Sequence, residues 1–210
     1  MAKRRKSTIA PRKQPQQERS SRLVEAILQA AVRVLERHGA AGFNTIRVAA
    51  QAGVSVGSLY QYFPNKQSIL FRLQEDEWER TGEMLDAILT DSGRSAEARL
   101  QAAMRAFFRS ECDEAPLRRA LGDAAAVYAV SSRARERRKR GMPVLLGLLD
   151  EAAPGLPPRR LAFGAELFVA SMSSLGKLVS ERGHTEAEVD AWALATADMV
   201  LAYLRTPPQP

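Results

Sequence analysis

The chain has 210 residues, 45% of them hydrophobic and 26% charged, with a formal net charge of +7, which is the composition of a basic globular protein. One cysteine and two histidines exclude a disulfide framework and argue against a transition-metal site. No apolar run approaches the roughly 18 residues of a membrane span, and no apolar segment follows the basic N-terminus, so we expect a cytoplasmic protein without signal peptide, membrane segment or cofactor.

The charge excess lies at the start of the chain. Residues 1–22 hold eight basic residues and one acidic residue, so the remainder is formally neutral. Residues 1–19 have almost nothing to bury and are predicted to form a disordered basic tail. A basic tail on a neutral body suits a polyanionic partner, and a solvated tail that aids solubility is the alternative.

The rest of the chain shows helical spacing of apolar residues and no strand alternation, which predicts an all-α fold of about nine helices. The predicted helices span about residues 21–38, 46–52, 56–62, 65–90, 95–112, 115–121, 124–152, 161–182 and 186–206. Pro143 is expected to kink or divide the helical region in which it lies.

Local signals set the boundaries of the first three helices. Gly39 is a natural stop for the first helix, and Asn44 or Thr45 is placed to cap the second. Gly53 supplies the positive φ of a sharp helix ending, and Ser55 caps the third helix. Two short helices joined by such a tight turn indicate a helix-turn-helix.

The last two helices carry a different pattern. Apolar residues from Leu161 to Val179 repeat at four- and three-residue steps, a heptad-type seam. Thr185 and Glu188 form a capping box for the final helix. The seam predicts either packing against the final helix alone or, on the remaining face, dimerisation through small residues such as Gly164.

A longer set of residues runs without interruption through the helix-turn-helix. It consists of Ala30-Ala31, Gly39, Phe43-Asn44-Thr45, Val48-Ala49, Ala52-Gly53-Val54-Ser55, Gly57-Ser58-Leu59-Tyr60, Tyr62-Phe63 and Lys66. In these residues the segment from Ala26 to Leu70 resembles the DNA-binding domain of the TetR family of transcriptional regulators.

The resemblance implies a homodimer that binds double-stranded DNA. Residues 20–66 would be the helix-turn-helix domain, and residues 67–206 would form a ligand-binding and dimerisation domain. The fourth helix would link the two domains, and the last two helices would pair with their symmetry mates in a four-helix bundle.

The expected DNA contacts come from the second and third helices and the start of the fourth. The candidates are Thr45, Arg47, Ser55, Val56, Gly57, Ser58, Tyr60, Gln61, Tyr62 and Lys66. Small residues let the third helix approach the groove, while hydroxyl groups suit phosphate oxygens and amide groups suit base edges. Ile46 stands where the family most often has a basic residue, so Arg47 and Gln61 are the main candidates for direct base readout. Packing beneath the motif is the alternative for Tyr60 and Tyr62.

The second domain is expected to hold a small, apolar or amphipathic effector. The candidate ligand-binding residues are Trp78, Met104, Phe107, Phe108, Tyr128, Leu145, Leu149 and Phe168. Such residues at helical spacing also form ordinary cores, and some of them are expected to line a pocket between helices.

A second basic run covers residues 133–140. We interpret it as a solvated helix face, paired with acidic residues of the fourth helix such as Asp76 and Glu77, rather than as an anion or acyl-carrier site. No catalytic constellation is present in the sequence, so we do not expect an enzyme. The leading hypothesis is an effector-released homodimeric repressor; the alternative is an effector-independent DNA-binding or partner-docking protein.

Overall fold

A computed structural model describes residues 15–121 and 132–206, and every element within these ranges is a helix. The helices are α1 (Pro15–Gly42), α2 (Thr45–Ala52), α3 (Val56–Tyr62), α4 (Lys66–Leu89), α5 (Ala96–Leu121), α6 (Ser132–Ala152), α7 (Pro158–Glu181) and α8 (Glu186–Arg205). The all-α prediction is confirmed, with eight helices in the described ranges against about nine expected. The chain divides into two compact units between Ile69 and Leu70, within α4.

In the first unit, the predicted caps are the observed ones. The Asn44 side chain accepts a hydrogen bond from the backbone N–H of Arg47, and Gly53 adopts the left-handed conformation that ends α2. The Ser55 hydroxyl accepts a hydrogen bond from the Ser58 N–H and so caps α3. These short-range bonds hold the two helices of the motif at a tight turn.

Helix α1 begins earlier than expected and continues past the expected stop at Gly39, to Gly42. It starts at Pro15, inside the segment predicted to be a disordered tail, while residues 1–14 lie outside the described ranges. Gly39 interrupts it with a φ of 62°, a left-handed value that glycine adopts at little cost. The inward face of α1 packs with α2 and α3 around a core of Ile27, Ala30, Ala31, Val34, Phe43, Val48, Ala49, Leu59 and Phe63.

In the second unit, residues 96–121 form one helix and not the two that were predicted. Pro116 lacks an N–H and crowds the preceding turn, which in isolation favours a break. The Arg118 Nη2 atom donates to the backbone carbonyl of Glu111 at 2.8 Å and so joins the turn after the proline to the turn before it. Ala115 and Leu117 are buried on either side of the proline, and their packing keeps the helix continuous.

Helix α5 packs against α6, α7 and α8, and α7 packs against both α6 and α8. Gly164 is buried, and a Cβ at this position would lie 2.7 Å from Leu204 Cδ2. Gly164 therefore allows α7 and α8 of one chain to approach, whereas the sequence placed it on the dimerisation face. The mean hydropathy of α7, 1.2, would also suit a membrane span, but core helices share this property.

The predicted capping box of α8 is present, with Thr185 and Glu188 bonded to each other's backbone. The three- and four-residue spacing of Val189, Trp192, Thr196 and Met199 predicts that all four lie on one inward face of this helix. Val189 and Thr196 are buried, but Trp192 and Met199 are exposed. The buried face of α8 is instead completed by residues that include Ala193, Ala197, Val200, Leu201 and Leu204. The small alanines let α8 lie close to its neighbours, which rotates the larger side chains outward.

Candidate DNA-contacting surface and ligand cavity

All ten predicted DNA-contact residues belong to the first unit, in α2, α3 and the first turn of α4. The start of α2 is joined to α3 by one side-chain hydrogen bond, 3.2 Å long, between Thr45 Oγ1 and Tyr60 Oη. Thr45 is buried, whereas Tyr60 remains half exposed. Thr45 therefore orients the Tyr60 ring, and Tyr60 keeps an accessible edge.

The N-terminal half of α3 offers small, polar and accessible groups. The Ser55 and Ser58 hydroxyl oxygens are 2.8 Å apart, so these two residues share one hydrogen bond. Gly57 is exposed, and a Cβ there would meet only Ser55 Oγ at 3.8 Å. Packing within the chain therefore leaves room for a side chain at Gly57, so a glycine there is not needed for the fold. Val56 beside it is half-buried.

The remaining candidates stand on the surface around α3. Gln61, Tyr62 and Lys66 are exposed. The Arg47 side chain is exposed and folds back to donate from Nη1 to the Gly42 carbonyl at 2.5 Å. Ile46 is the most exposed large apolar side chain of the motif, at 67%.

A cavity of about 360 Å³ lies within the second unit, between α4, α5, α6 and α7. Its volume is in the range of small-molecule sites. Its apolar and aromatic lining includes Trp78, Leu85, Leu89, Phe107, Met142, Leu145, Phe168, Val169 and Met172.

Four of the eight predicted ligand residues line this cavity: Trp78, Phe107, Leu145 and Phe168. Met104, Phe108 and Leu149 do not; they are fully buried in the surrounding core. Tyr128 lies outside the described residues. Phe107 and Phe108 are neighbours in sequence, and the turn of about 100° between them points one at the cavity and the other into the core.

One wall of the cavity is polar, which the sequence did not lead us to expect. Glu111, Glu114, Arg118 and Lys177 line it, and both carboxyl groups are buried. Arg118 Nη1 lies 2.7 Å from Glu111 Oε2, while Arg118 Nη2 donates to Ser180 Oγ at 2.5 Å. The spacing of residues 107, 111, 114 and 118 on a single face of α5 was the available signal.

The second carboxyl group has a different environment. Glu114 Oε2 accepts from Gln74 Nε2 at 3.0 Å and Oε1 accepts from Thr81 Oγ1 at 3.3 Å, so both donors are uncharged. Burial, reinforced by the nearby charge of Glu111, raises the pKa of Glu114 to about 7. Burial also raises the pKa of Glu111, against the opposing effect of Arg118.

Two of the acidic residues predicted to pair with the second basic run form ion pairs within their own helix. Asp76 bonds to Arg72 and Glu77 bonds to Arg80, both within α4. Within residues 133–140, the exposed side chains of Glu136, Lys139 and Arg140 are described, and they suit the interpretation as a solvated face.

A third surface lies on the last two helices. Phe163, Trp192 and Met199 are exposed at 53%, 38% and 46%. The Phe163 ring stands 5.4 Å from that of Tyr203, so aromatic side chains of α7 and α8 form a partly exposed cluster. Exposed apolar clusters of this kind mark interaction surfaces.

A helix-turn-helix unit followed by a separate helical unit is the architecture of a class of transcriptional regulators. Residues 27–73 match the family of bacterial regulatory proteins of the tetR family, and residues 95–206 match the tetracyclin repressor-like C-terminal domain. The chain belongs to the TetR family, whose members are DNA-binding transcription factors and not enzymes.

The individual proteins that resemble this chain share only a small part of its sequence. The fatty acid metabolism regulator protein of Bacillus subtilis is 33% identical over 78 residues, which cover 37% of this chain and 39% of that protein. A TetR-family transcriptional regulator from Pectobacterium atrosepticum has the same fold, with a TM-score of 0.69, 21% identity and coverage of 94% of this chain and 100% of that one. The transcriptional regulator FadR from Bacillus subtilis, in complex with stearoyl-CoA, gives a TM-score of 0.57 at 18% identity, covering 85% of this chain and 97% of that one.

Proposed function

We propose that this regulator is a cytoplasmic homodimeric repressor, released from its operator when a small apolar or amphipathic effector fills the cavity of the second unit. The observation that carries the proposal is the cavity of about 360 Å³, lined mostly by apolar side chains, in a chain whose first unit is a helix-turn-helix. An effector-independent DNA-binding or partner-docking protein would need no cavity and could have a filled core. The cavity therefore favours the effector-responsive function.

DNA contact is assigned to the exposed face of α3 and its flanks. Tyr60, Tyr62 and Lys66 are placed to reach phosphates, and Gln61 is placed to reach a base edge. The open space around Gly57 supports close approach of the α3 backbone to the groove. Arg47 would exchange its bond to the Gly42 carbonyl for a contact with DNA.

Dimerisation is assigned to the exposed cluster of Phe163, Trp192, Met199 and Tyr203 on α7 and α8. Burial of aromatic and methionine side chains is characteristic of the centre of a protein interface. Two copies of the helix-turn-helix would then face successive major grooves, about 34–36 Å apart.

Coupling between the two sites is assigned to α4, which begins at Lys66 and continues to the cavity residues Trp78, Leu85 and Leu89. An effector that repositions α4 would change the spacing of the two DNA-reading helices. Allosteric couplings of about 1–3 kcal/mol would change operator affinity about 5–150-fold. The stearoyl-CoA complex of Bacillus subtilis FadR supports the idea that this fold accommodates an amphipathic ligand with a long apolar chain.

Selection of bound DNA from a random pool tests the proposal. We expect enrichment of a near-palindrome whose half-sites lie about 10 base pairs apart. Light scattering of the protein alone and on the selected DNA should give two chains per operator or a multiple of two. A pool that stays random, or a protein that binds DNA as a monomer, would contradict the proposal.

A further inference from the structure

The polar wall of the cavity contains two buried carboxyl groups one helical turn apart. Glu111 and Glu114 are only 8% and 4% exposed, and both line the cavity from α5. Glutamate is almost never buried to this degree unless it is paired with a cation or held by hydrogen bonds. The partners of each carboxyl group therefore indicate which kind of ligand group the cavity wall can still bind.

Arg118 is a cation on the same wall of the cavity, and it pairs with Glu111. Its Nη1 atom pairs with the Glu111 carboxylate at 2.7 Å, and its Nη2 atom donates to the Glu111 backbone carbonyl and to Ser180. Glu114 is left with neutral donors, Gln74 and Thr81. Among the described side chains, which exclude those of residues 132–135, 137 and 138, Glu114 is a buried carboxyl group on the cavity wall whose hydrogen bonds come from neutral donors and which forms no ion pair. The positive charge of Arg118 acts on it through space, more weakly than the negative charges of Glu111 and Glu77.

The other charges around Glu114 do not change this balance. Glu77 on α4 adds a further negative charge near it. Asp86 and Lys177 also line the cavity from α4 and α7, but both are exposed, and solvent screens their charges. The described lining from α6 consists of Gly141, Met142 and Leu145, which carry no charge.

We propose that the cavity binds an apolar molecule bearing one protonated amine, and that the Glu114 carboxylate receives this amine. This inference rests on the proposed function, because it names the effector class of the same cavity. An ammonium group supplies the missing positive charge and hydrogen-bond donors. A carboxylate ligand would face two buried acids, and an alcohol would bring a donor without a charge. The rings of Trp78, Phe107 and Phe168 add surfaces that favour a cation as well as an apolar body.

Decylamine, decanol and decanoate, used below their micellar concentrations, are matched probes of this idea. Calorimetric titration at pH 7 should show decylamine binding at least about tenfold more tightly than the other two, as expected for a hydrogen bond to a charged group. Glu114→Gln should remove this preference. Asp113→Asn, an equal charge change at the exposed neighbouring position on α5, should leave it unchanged.

A second readout uses the unaltered protein. Burial raises the pKa of Glu114 to about 7, so an amine that ionises this carboxyl group on binding should release a fraction of a proton at pH 7, measured from the heat in buffers of different ionisation enthalpy. Equal binding of decanol or decanoate, no binding of any probe, a preference that survives Glu114→Gln, or the absence of proton release would overturn the assignment.

Operator binding is measured separately on the selected DNA. Decylamine that binds in the cavity without weakening operator binding would contradict the proposed regulation and leave the ligand class standing. Conversely, operator release by a neutral or anionic ligand would overturn the amine assignment and leave the regulation standing.

Discussion

Glu114 should make the stability of this protein depend on pH. The pKa of its carboxyl group rises from 4.5 to about 7 on folding, so between these values the folded chain holds more protons than the unfolded chain. Stability contributed by this group is therefore complete below about pH 4.5, falls as the pH rises, and levels off above about pH 7. At 1.36 kcal/mol per tenfold change, the loss between pH 5 and pH 8 is about 2–3 kcal/mol.

Glu114→Gln isolates this effect. The amide has the shape of the protonated acid, and its donor can serve Gln74 Oε1, which is buried without a partner in the structure. Because the glutamine does not ionise, the stability difference in favour of the variant should be about 2–3 kcal/mol larger at pH 8 than at pH 5. Titrating groups far from Glu114 contribute equally to both proteins and cancel in the difference, whereas the neighbouring Glu111 titrates together with Glu114, so the difference reports on this pair of acids.

Urea unfolding at the two pH values and at one fixed protein concentration measures this difference; the concentration matters because a dimer unfolds with concentration-dependent stability. Asp113→Asn serves as the control and should show no such pH dependence. If the parent and Glu114→Gln keep the same stability difference at both pH values, the burial argument for Glu114 is refuted.

Three further predictions concern DNA binding and assembly. Gly57→Ala should raise the free energy of unfolding by about 0.5–1 kcal/mol through helix propensity, yet weaken operator binding about 10–100-fold because the methyl group stands between α3 and the groove; equal or tighter DNA binding would contradict close approach. Deletion of residues 1–14, which leaves α1 whole, should weaken DNA binding and flatten its salt dependence by about 0.9 log units for each phosphate that the tail neutralises; an unchanged slope would exclude the tail from the complex. Met199→Asp should give a monomer in light scattering because two carboxylates would meet in the proposed interface, whereas Ala87→Asp on the exposed side of α4 should not; a Met199→Asp dimer would place the interface elsewhere.

The sequence by itself determined the features that depend on neighbours within a few residues. Asn44, Gly53 and Ser55 set the ends of α2 and α3, and Thr185 with Glu188 sets the start of α8, because caps act over about one turn. The same local pattern, extended over the whole motif, was specific enough to indicate the family.

Tertiary structure decided the features that depend on which face of a helix meets which neighbour. Pro116 could remain inside α5 because the residues on either side of it are buried and because Arg118, after the proline, bonds to the Glu111 carbonyl before it. Trp192 turned outward because alanines on α8 allow closer packing on the other side.

The lining of the cavity is the clearest case of a feature that the sequence alone could not predict. Phe107 and Phe108 are equally suitable by composition, yet only Phe107 lines the cavity, because its direction is set by the packing of α5 against α7. Glu111 and Glu114 look like ordinary surface acids in the sequence. Only the fold brings Gln74 and Thr81 of α4 to Glu114 and commits Arg118 to Glu111, and these contacts give the two acids different environments.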